Sequence, residues 1–254
     1  MIELWHEWNS VQSFKVRVVL AEKDLQWTAR RVDLLKFEQL QSEYLCLNPN
    51  GVVPTLVHDG KVVLESSVIC QYLDEAFPEP ALMPLDSYVR AQARTWLKFF
   101  DEVAHPAIRQ ASFELLYRPH LALIPPAELE ARLAHHPNQK RAQSFRDAAR
   151  GLPDLAAIKE AVLVFRRIVA RMDAALERNE WLAGPHYSLA DVGMAPFVER
   201  IEHLGMAGLS EQYPRARRWS AAVMARPATA SARAPVDQRL PAHLPARLHE
   251  LINC

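Results

Sequence analysis

The chain has 254 residues, and its 30 basic and 30 acidic side chains give a formal net charge of zero. This balance creates no field that would attract nucleic acid or an anionic membrane, and no apolar run is long enough to cross a bilayer. The three cysteines lack CxxC spacing, and the first residues do not form a signal-peptide pattern. We therefore expect a cytoplasmic protein with reduced thiols, folded as one large domain or two small ones.

The first part of the chain alternates between strand and helix patterns. Residues 2–5 and 27–34 predict strands, and residues 13–24 and 36–47 predict helices. Residues 48–67 follow with a strand–turn–strand pattern and the start of another helix. The order β-α-β-α-β-β-α predicts a sheet that carries helices on its faces.

The stretch NPNGVVPTLVHDGKVVLESS, at residues 48–67, combines three local signals. Pro54 cannot donate to a sheet ladder, so it predicts an edge position or a strand start. Asp59-Gly60 predicts a tight turn into a second strand. Glu65 and Ser66 then begin a helix on a carboxylate and a hydroxyl, two groups that suit the positive end of a helix.

The rest of the chain predicts helices and no strand. Apolar stripes indicate helices over residues 87–105, 154–180 and 213–226. Ser188 and Asp191 have the spacing of a capping box. We therefore divide the chain into an α/β domain at residues 1–78, an all-helical domain at residues 87–227 and a tail at residues 228–254.

Residues 118–153 are expected to form a partly helical insertion in the helical domain. The segment contains several prolines, many charged residues and the pair His135-His136. Such polarity is typical of a solvated face, which is the interpretation we favour. The alternative is a lid over a substrate pocket. The tail, rich in alanine, proline and arginine, is expected to wrap loosely on the surface.

Several of these motifs resemble those of the cytosolic glutathione transferases. The segment NPNGVVPTLVHDG resembles the family's Asn-Pro-x-Gly-x-Val-Pro-x-Leu-x-x-x-Gly motif, and Glu65-Ser66 matches its Glu-Ser pair. Residues 13–23 look like the first helix of the family, and residues 188–191 look like its capping box. The resemblance runs from residue 2 to about residue 227. It implies an α/β thioredoxin-like N-terminal domain that binds glutathione, plus an all-α C-terminal domain.

The resemblance extends to one branch of the family. KFEQ at residues 36–39, DGKVVLESSVICQYLDEAFPE at residues 59–79 and the long insertion are similar to bacterial glutathione-dependent β-etherases, which cleave aryl ethers. That branch implies a hydrophobic, bulky aromatic electrophile as the second substrate. Trp8, Phe113, Tyr117 and the insertion are our candidates for its pocket.

Two serines compete for the role of ionising the glutathione thiol. Such a role needs a hydrogen-bond donor near the N-terminus of a helix. By resemblance to serine-type transferases the donor is Ser10, whereas the β-etherase-like branch favours Ser13. The simpler interpretations are a loop serine for Ser10 and a helix N-cap for Ser13. Gln12 lies between them and could donate from its amide. The loop has no cysteine, so a thiol–disulfide mechanism is not expected.

The other contacts to glutathione follow from the resemblance and from the chemistry of the tripeptide. A cis bond before Pro54 would free the backbone of Val53 to pair with the cysteinyl unit, as an added strand would. Ser66 would bind the γ-glutamyl carboxylate and Glu65 the amine. Gln39, Gln41 and Lys36 are candidates for the glycyl carboxylate.

The sequence thus predicts a serine-type glutathione transferase that works as a homodimer, with the helix from residue 87 against the partner. The spacing of histidines and cysteines indicates no metal site, and no glycine-rich loop indicates a nucleotide. One alternative is a non-catalytic binding or scaffold protein of the same fold. Another is a glutathione-dependent isomerase or peroxidase.

Overall fold

A four-stranded sheet lies at the centre of the N-terminal domain. The computed structural model describes residues 1–150 and 152–245. Its strands are listed here in chain order: β1 (Ile2–His6), β2 (Thr28–Arg31), β3 (Thr55–His58) and β4 (Lys61–Val63). Their order in the sheet is β2-β1-β3-β4, with β1 parallel to β2 and the other pairs antiparallel. The predicted mixed α/β domain is confirmed.

Three helices accompany the sheet: α1 (Val11–Glu22), α2 (Ser42–Leu47) and α3 (Ser66–Ala76). α1 begins at Val11, which is buried, and Ser10 is its N-cap. The prediction that this helix begins at Ser13 is therefore wrong. The helix predicted over residues 36–47 is also interrupted, because Phe37 is left-handed and Gln41 is extended. A short 3-10 turn, Glu38–Leu40, precedes α2.

A long, nearly continuous helical rod leads through the second domain. It consists of α4 (Ser87–Phe99), α5 (His105–Ser112) and α6 (Arg118–Leu121), joined by the π-helical segments Phe100–Ala104 and Phe113–Tyr117. The helix predicted over residues 87–105 therefore continues further than its apolar stripe indicated. The remaining helices are α7 (Pro126–Leu133), α8 (Gln139–Ala149), α9 (Leu155–Ala175), α10 (Leu189–His203), α11 (Pro214–Ala225) and α12 (Pro227–Ser231).

The predicted capping box is present at the start of α10. The Asp191 carboxylate accepts the Ser188 N–H at 3.0 Å. Its other oxygen accepts the Leu182 N–H at 3.0 Å and the indole N–H of Trp219 at 2.7 Å. This buried carboxylate therefore joins the start of α10 to the preceding loop and to α11. None of the helices in the described ranges is long and apolar enough to cross a membrane.

The insertion and the tail both pack against the body of the protein. The insertion is partly helical, as predicted, and forms a small core of its own with Phe37 of the N-terminal domain. In the tail, the Leu240 N–H donates to the Asn9 side chain at 2.9 Å, and the His243 N–H donates to the Leu115 carbonyl at 2.7 Å. The expectation of a loosely wrapped tail is therefore wrong for residues 228–245. Its remainder, which includes Cys254, lies outside the described residues.

Candidate functional site

A cavity of about 540 Å³ lies between the two domains. The loop before α1, the 3-10 turn, the segment before β3 and the start of α3 form its N-terminal side. The rod from Asp101 to Leu121 and the insertion form the opposite side. The cavity brings together most of the predicted site residues: Ser10, Gln12, Gln39, Val53, Pro54, Glu65, Ser66, Phe113 and Tyr117.

Ser10 lies on the cavity wall at the N-terminus of α1. Its Oγ accepts the backbone N–H of Ser13 at 3.1 Å, as an N-cap does. Because this contact uses only a lone pair, the hydroxyl hydrogen is left to donate into the cavity. The positive end of α1 lies beside the same point, and both features favour an anion there.

Ser13 and Trp8 are not part of this cavity. Ser13 is fully buried in the first turn of α1, and within the described residues its hydroxyl has no hydrogen-bond partner. Trp8 lines a separate cavity of only about 20 Å³, where the guanidinium of Arg17 lies 4.7 Å from its ring. Neither Ser13 nor Trp8 lines the large cavity, so Ser10 is the better placed of the two serines.

The first turn of α3 lines the cavity beside the start of α1. The Ser66 hydroxyl donates to the Gln12 amide oxygen at 3.0 Å. Behind it, the buried ammonium of Lys15 donates to the Ser67 hydroxyl at 2.7 Å and contacts Asp101 at 3.1 Å. The free N–H groups of the helix and the nearby ammonium both favour a carboxylate at this point.

Glu65 precedes α3 in a conformation that is unusual for a residue with a side chain. Its φ is 64° and its ψ is 112°. A positive φ at a non-glycine residue costs about 1–3 kcal/mol and is concentrated at functional sites. Glu65 lines the cavity, so the strained backbone holds a carboxylate at the cavity wall.

The segment before β3 presents unpaired backbone groups to the cavity. The Val53–Pro54 bond is cis, as predicted. The Tyr44 hydroxyl and the Asn48 amide hold the preceding Val52 carbonyl at 2.6 and 2.8 Å. Across the described residues, the N–H and C=O of Val53 make no hydrogen bond. Both groups are therefore available to an extended peptide.

The helical wall of the cavity combines aromatic and basic side chains. The ring of Phe113 lies 5.5 Å from that of Tyr117 and 5.1 Å from that of Phe145 on the insertion. Burial, together with the charges of Lys15 and Arg109, lowers the pKa of His105 to about 4, so its imidazole is neutral at neutral pH. Because the insertion lines the cavity, the expectation that its polarity marks only a solvated face is wrong.

Several contacts around the cavity could not be found from the sequence. Arg200 on α10 donates to the Asn9 carbonyl and, at 2.9 Å, to the Ser112 hydroxyl. The Tyr117 hydroxyl also approaches the Asn9 carbonyl, at 3.4 Å. These contacts fix Asn9, the residue directly before Ser10. The sequence gives no sign that Asn9 and Arg200 meet Ser112 and Tyr117, because these three regions are far apart along the chain. Within the described ranges, no group of histidine, cysteine or acidic residues could hold a metal ion.

Comparison with known proteins identifies the family. The sequence model of the glutathione S-transferase N-terminal domain matches residues 1–75, and that of the C-terminal domain matches residues 155–222. Protein LigF of Sphingobium sp. strain SYK-6 is 33% identical over 197 residues, which are 75% of each chain. Maleylacetoacetate isomerase of Pseudomonas aeruginosa is 28% identical over 230 residues, 89% of this chain and 93% of the relative.

Solved structures agree with these matches. The crystal structure of beta-etherase LigF has a TM-score of 0.84 and 30% identity, covering 91% of this chain and 98% of that one. A glutathione transferase from Burkholderia graminis, with two glutathione molecules bound per subunit, has a TM-score of 0.68 and 25% identity over 91% of this chain and 86% of its own. This chain therefore belongs to the glutathione S-transferase family, and it is an enzyme with glutathione as its co-substrate.

Proposed function

We propose that this enzyme transfers glutathione to an electrophilic aromatic substrate, with the Ser10 hydroxyl holding the thiolate. The observation that carries the proposal is the geometry of Ser10: it lies on the cavity wall, at the start of α1, with its lone pair engaged by the Ser13 N–H. A hydrogen bond to a charged group contributes roughly 1.5–3 kcal/mol, which lowers a thiol pKa by about one to two units.

We also propose a part of the cavity for each end of glutathione. Ser66 and the first N–H groups of α3 would bind the γ-glutamyl carboxylate, and Glu65 would bind the amine. The N–H and C=O beside Pro54 would pair with the cysteinyl unit as an added strand does. Gln39 would donate to the glycyl carboxylate. Gln12 holds the Ser66 hydroxyl when the site is empty. With glutathione bound, the hydroxyl hydrogen would turn to the carboxylate and the Gln12 amide N–H would donate to the Ser66 oxygen.

The aromatic wall and the likeness to beta-etherase LigF support an aryl ether as the second substrate. Phe113, Tyr117 and Phe145 form a ring-lined surface in the same cavity as Ser10. In ether cleavage the thiolate attacks the carbon that carries the aryloxy group. A C–S bond forms, the C–O bond breaks, and the electron pair leaves with a phenolate.

The first test compares the thiol of bound glutathione in the wild type, Ser10→Ala and Ser13→Ala. The ultraviolet absorbance of the thiolate, followed against pH, gives the thiol pKa. We expect a lowered pKa in the wild type and in Ser13→Ala, and a return toward the free value in Ser10→Ala. Glutathione that binds with an unshifted pKa in the wild type would contradict the role of Ser10.

A second test measures the reaction itself. The wild type is incubated with glutathione and a model β-aryl ether, and the released phenol and the glutathione conjugate are quantified together. Ether cleavage predicts equal amounts of the two products. A conjugate without phenol would assign the enzyme to transfer at another carbon, and an isomerised substrate with glutathione unchanged would assign it to isomerisation.

The proposal includes a homodimer in the cytoplasm. Leu85, Tyr88 and Val68 are 88%, 71% and 51% exposed around the start of α4 and on α3, which is unfavourable for apolar side chains. Sedimentation of the wild type and of Tyr88→Asp tests the dimer, since a monomeric wild type would exclude it.

Cys46 and Cys70 are free thiols, which supports the proposed cytoplasmic location because that compartment is reducing. We retain the domain limits 1–78 and 87–227.

A further inference from the structure

Two arginines on the helical wall of the cavity have no acidic partner among the described residues. Arg109 lies on α5, and Arg141 lies in the first turn of α8, on the insertion. Throughout residues 1–150 and 152–245, neither guanidinium makes an ion pair or a hydrogen bond. Both line the cavity, so their N–H groups can be reached by a ligand.

The other arginines of the insertion behave differently. Each of them pairs with a glutamate in its own region of the fold: Arg118 with Glu114, Arg132 with Glu128, and Arg146 and Arg150 with Glu130. The acidic residues that line the cavity are Asp101, which contacts Lys15, and Glu65, which lies on the α3 side. The cavity therefore supplies no carboxylate to Arg109 and Arg141.

The charge of Arg141 also acts unfavourably on the charge of Arg109. Burial and the charge of Arg141 lower the pKa of Arg109 to about 10, so Arg109 remains charged at neutral pH. Like charges that have lost part of their hydration are unfavourable unless an opposite charge compensates them. An anion in the cavity would compensate both the repulsion between the two guanidinium groups and their lost hydration.

The surroundings of the pair suit an anion that is attached to an aromatic ring. The guanidinium of Arg109 lies 4.2 Å from the centre of the Phe113 ring, which leaves the N–H groups at its edge free for a carboxylate. The Nδ1 atom of His136 accepts the Asn138 N–H at 3.0 Å, so the neutral ring carries its hydrogen on Nε2 and adds a donor.

We infer that Arg109 and Arg141 bind a negatively charged group, a carboxylate or a phenolate, on the aromatic substrate. This inference rests on the proposed function, because it identifies the substrate class of the same cavity. The glycyl carboxylate of glutathione is another source of such an anion. Gln39, on the N-terminal domain, is its partner in our assignment, and the experiment separates the two sources.

The experiment uses two matched electrophiles, a chloronitrobenzoate and the corresponding chloronitrobenzamide. In both, the thiolate forms a C–S bond to the ring carbon and chloride leaves with the electron pair of the C–Cl bond. The variants are Arg109→Gln and Arg141→Gln, with Arg109→Lys and Arg141→Lys as charge-preserving partners. The control is Arg146→Gln, which removes a charge from α8, the helix of Arg141, at a residue that does not line the cavity.

We expect each Gln variant to lower kcat/KM for the benzoate by about tenfold or more, the size of a lost charged hydrogen bond. The benzamide should change by less than about twofold, the KM for glutathione should stay constant, and the Lys variants should recover part of the loss. Equal losses with benzoate and benzamide would overturn the inference. A raised KM for glutathione, absent with γ-glutamylcysteine, would assign the pair to the glycyl carboxylate instead.

A binding measurement keeps this test independent of catalysis. The S-aryl glutathione conjugates of the two electrophiles are titrated calorimetrically into the wild type and the variants. Tighter binding of the carboxylate conjugate by the wild type, lost in the Gln variants, would support the arginine site even if neither electrophile reacts. No preference for the carboxylate in the wild type would overturn it, whatever the outcome of the thiol titration.

Discussion

The hydroxyl of Ser66 donates a hydrogen bond of 3.0 Å to the amide oxygen of Gln12. This contact joins the first turn of α3 to the first turn of α1, and both helices direct their positive ends toward the cavity. The two positions that we propose for the thiol and for the γ-glutamyl carboxylate are therefore joined by one side-chain contact between neighbouring helices.

Replacement of Gln12 by alanine is expected to weaken glutathione binding. The Ser66 hydroxyl would lose its partner and its fixed rotamer, and a neutral hydrogen bond contributes about 0.5–1.5 kcal/mol. We therefore expect KM for glutathione to rise about twofold to tenfold, and to rise further in Gln12→Glu, which places a negative charge beside the carboxylate site. Steady-state kinetics measure both. Gln26→Ala, at an exposed glutamine, is the control; an unchanged KM in Gln12→Ala would show that Ser66 needs no support.

Glu65 has a strained backbone and places its carboxylate at the cavity wall. Two substitutions separate the effect of the strain on stability from the effect of the carboxylate on glutathione binding. Glu65→Gly removes the cost of the positive φ, so we expect it to raise the free energy of unfolding by about 1 kcal/mol relative to Glu65→Gln. Both variants lose the carboxylate, and both should bind glutathione more weakly. Urea unfolding and glutathione titration measure the two quantities. A less stable Glu65→Gly would show that the backbone at this position carries no strain.

The sequence is most informative where a signal is short and local. Asp59-Gly60 predicted the turn between β3 and β4, and Ser188 with Asp191 predicted the cap of α10, because each motif satisfies its own backbone. The choice between Ser10 and Ser13 is different. Either hydroxyl could cap a helix, and the decision depends on where α1 packs, which places the apolar Val11 at its first position.

The helical wall of the cavity could not be predicted in the same way. Arg109 and Arg141 reach the same cavity only when α8 packs against α6 and the π-helical segment Phe113–Tyr117. His105 and Asp101 reach the cavity through a rod whose π-helical segments shift the side-chain register. These relationships come from tertiary packing, which cannot be predicted from the composition of the chain or from the periodicity of its apolar residues. The position of Trp8 likewise depends on packing, because its ring lies against the guanidinium of Arg17.

Asp191 is expected to be among the most sensitive positions for stability. Asp191→Ala would leave three buried donors without an acceptor, and each costs about 1–3 kcal/mol. We expect a loss of at least about 3 kcal/mol in the free energy of unfolding. Asp154→Ala removes a more exposed N-cap from α9 and should cost only about 1 kcal/mol. Chemical unfolding of both variants tests the difference; equal losses would mean that Asp191 acts only as a cap.

Stability should fall as the pH is lowered from about 6.5 toward 4, and His6 should cause part of this loss. Burial and the charges of Arg17 and Arg31 lower the pKa of His6 to about 3, and burial lowers that of His105 to about 4. Below pH 6.5 the unfolded chain binds protons at these sites and the folded protein does not, so protonation favours unfolding. Each histidine then costs about 1.4 kcal/mol per pH unit.

The variant His6→Asn tests this origin of the acid sensitivity. Asparagine keeps an acceptor near Arg17, whose Nη1 lies 3.4 Å from the His6 Nδ1 atom, but it does not titrate. The slope of the unfolding free energy between pH 6.5 and 4 should therefore be smaller in His6→Asn than in the wild type. His186→Asn, at an exposed histidine, provides the comparison. If the two variants have the same slope, burial of His6 is not the source, and the other buried histidines must be examined instead.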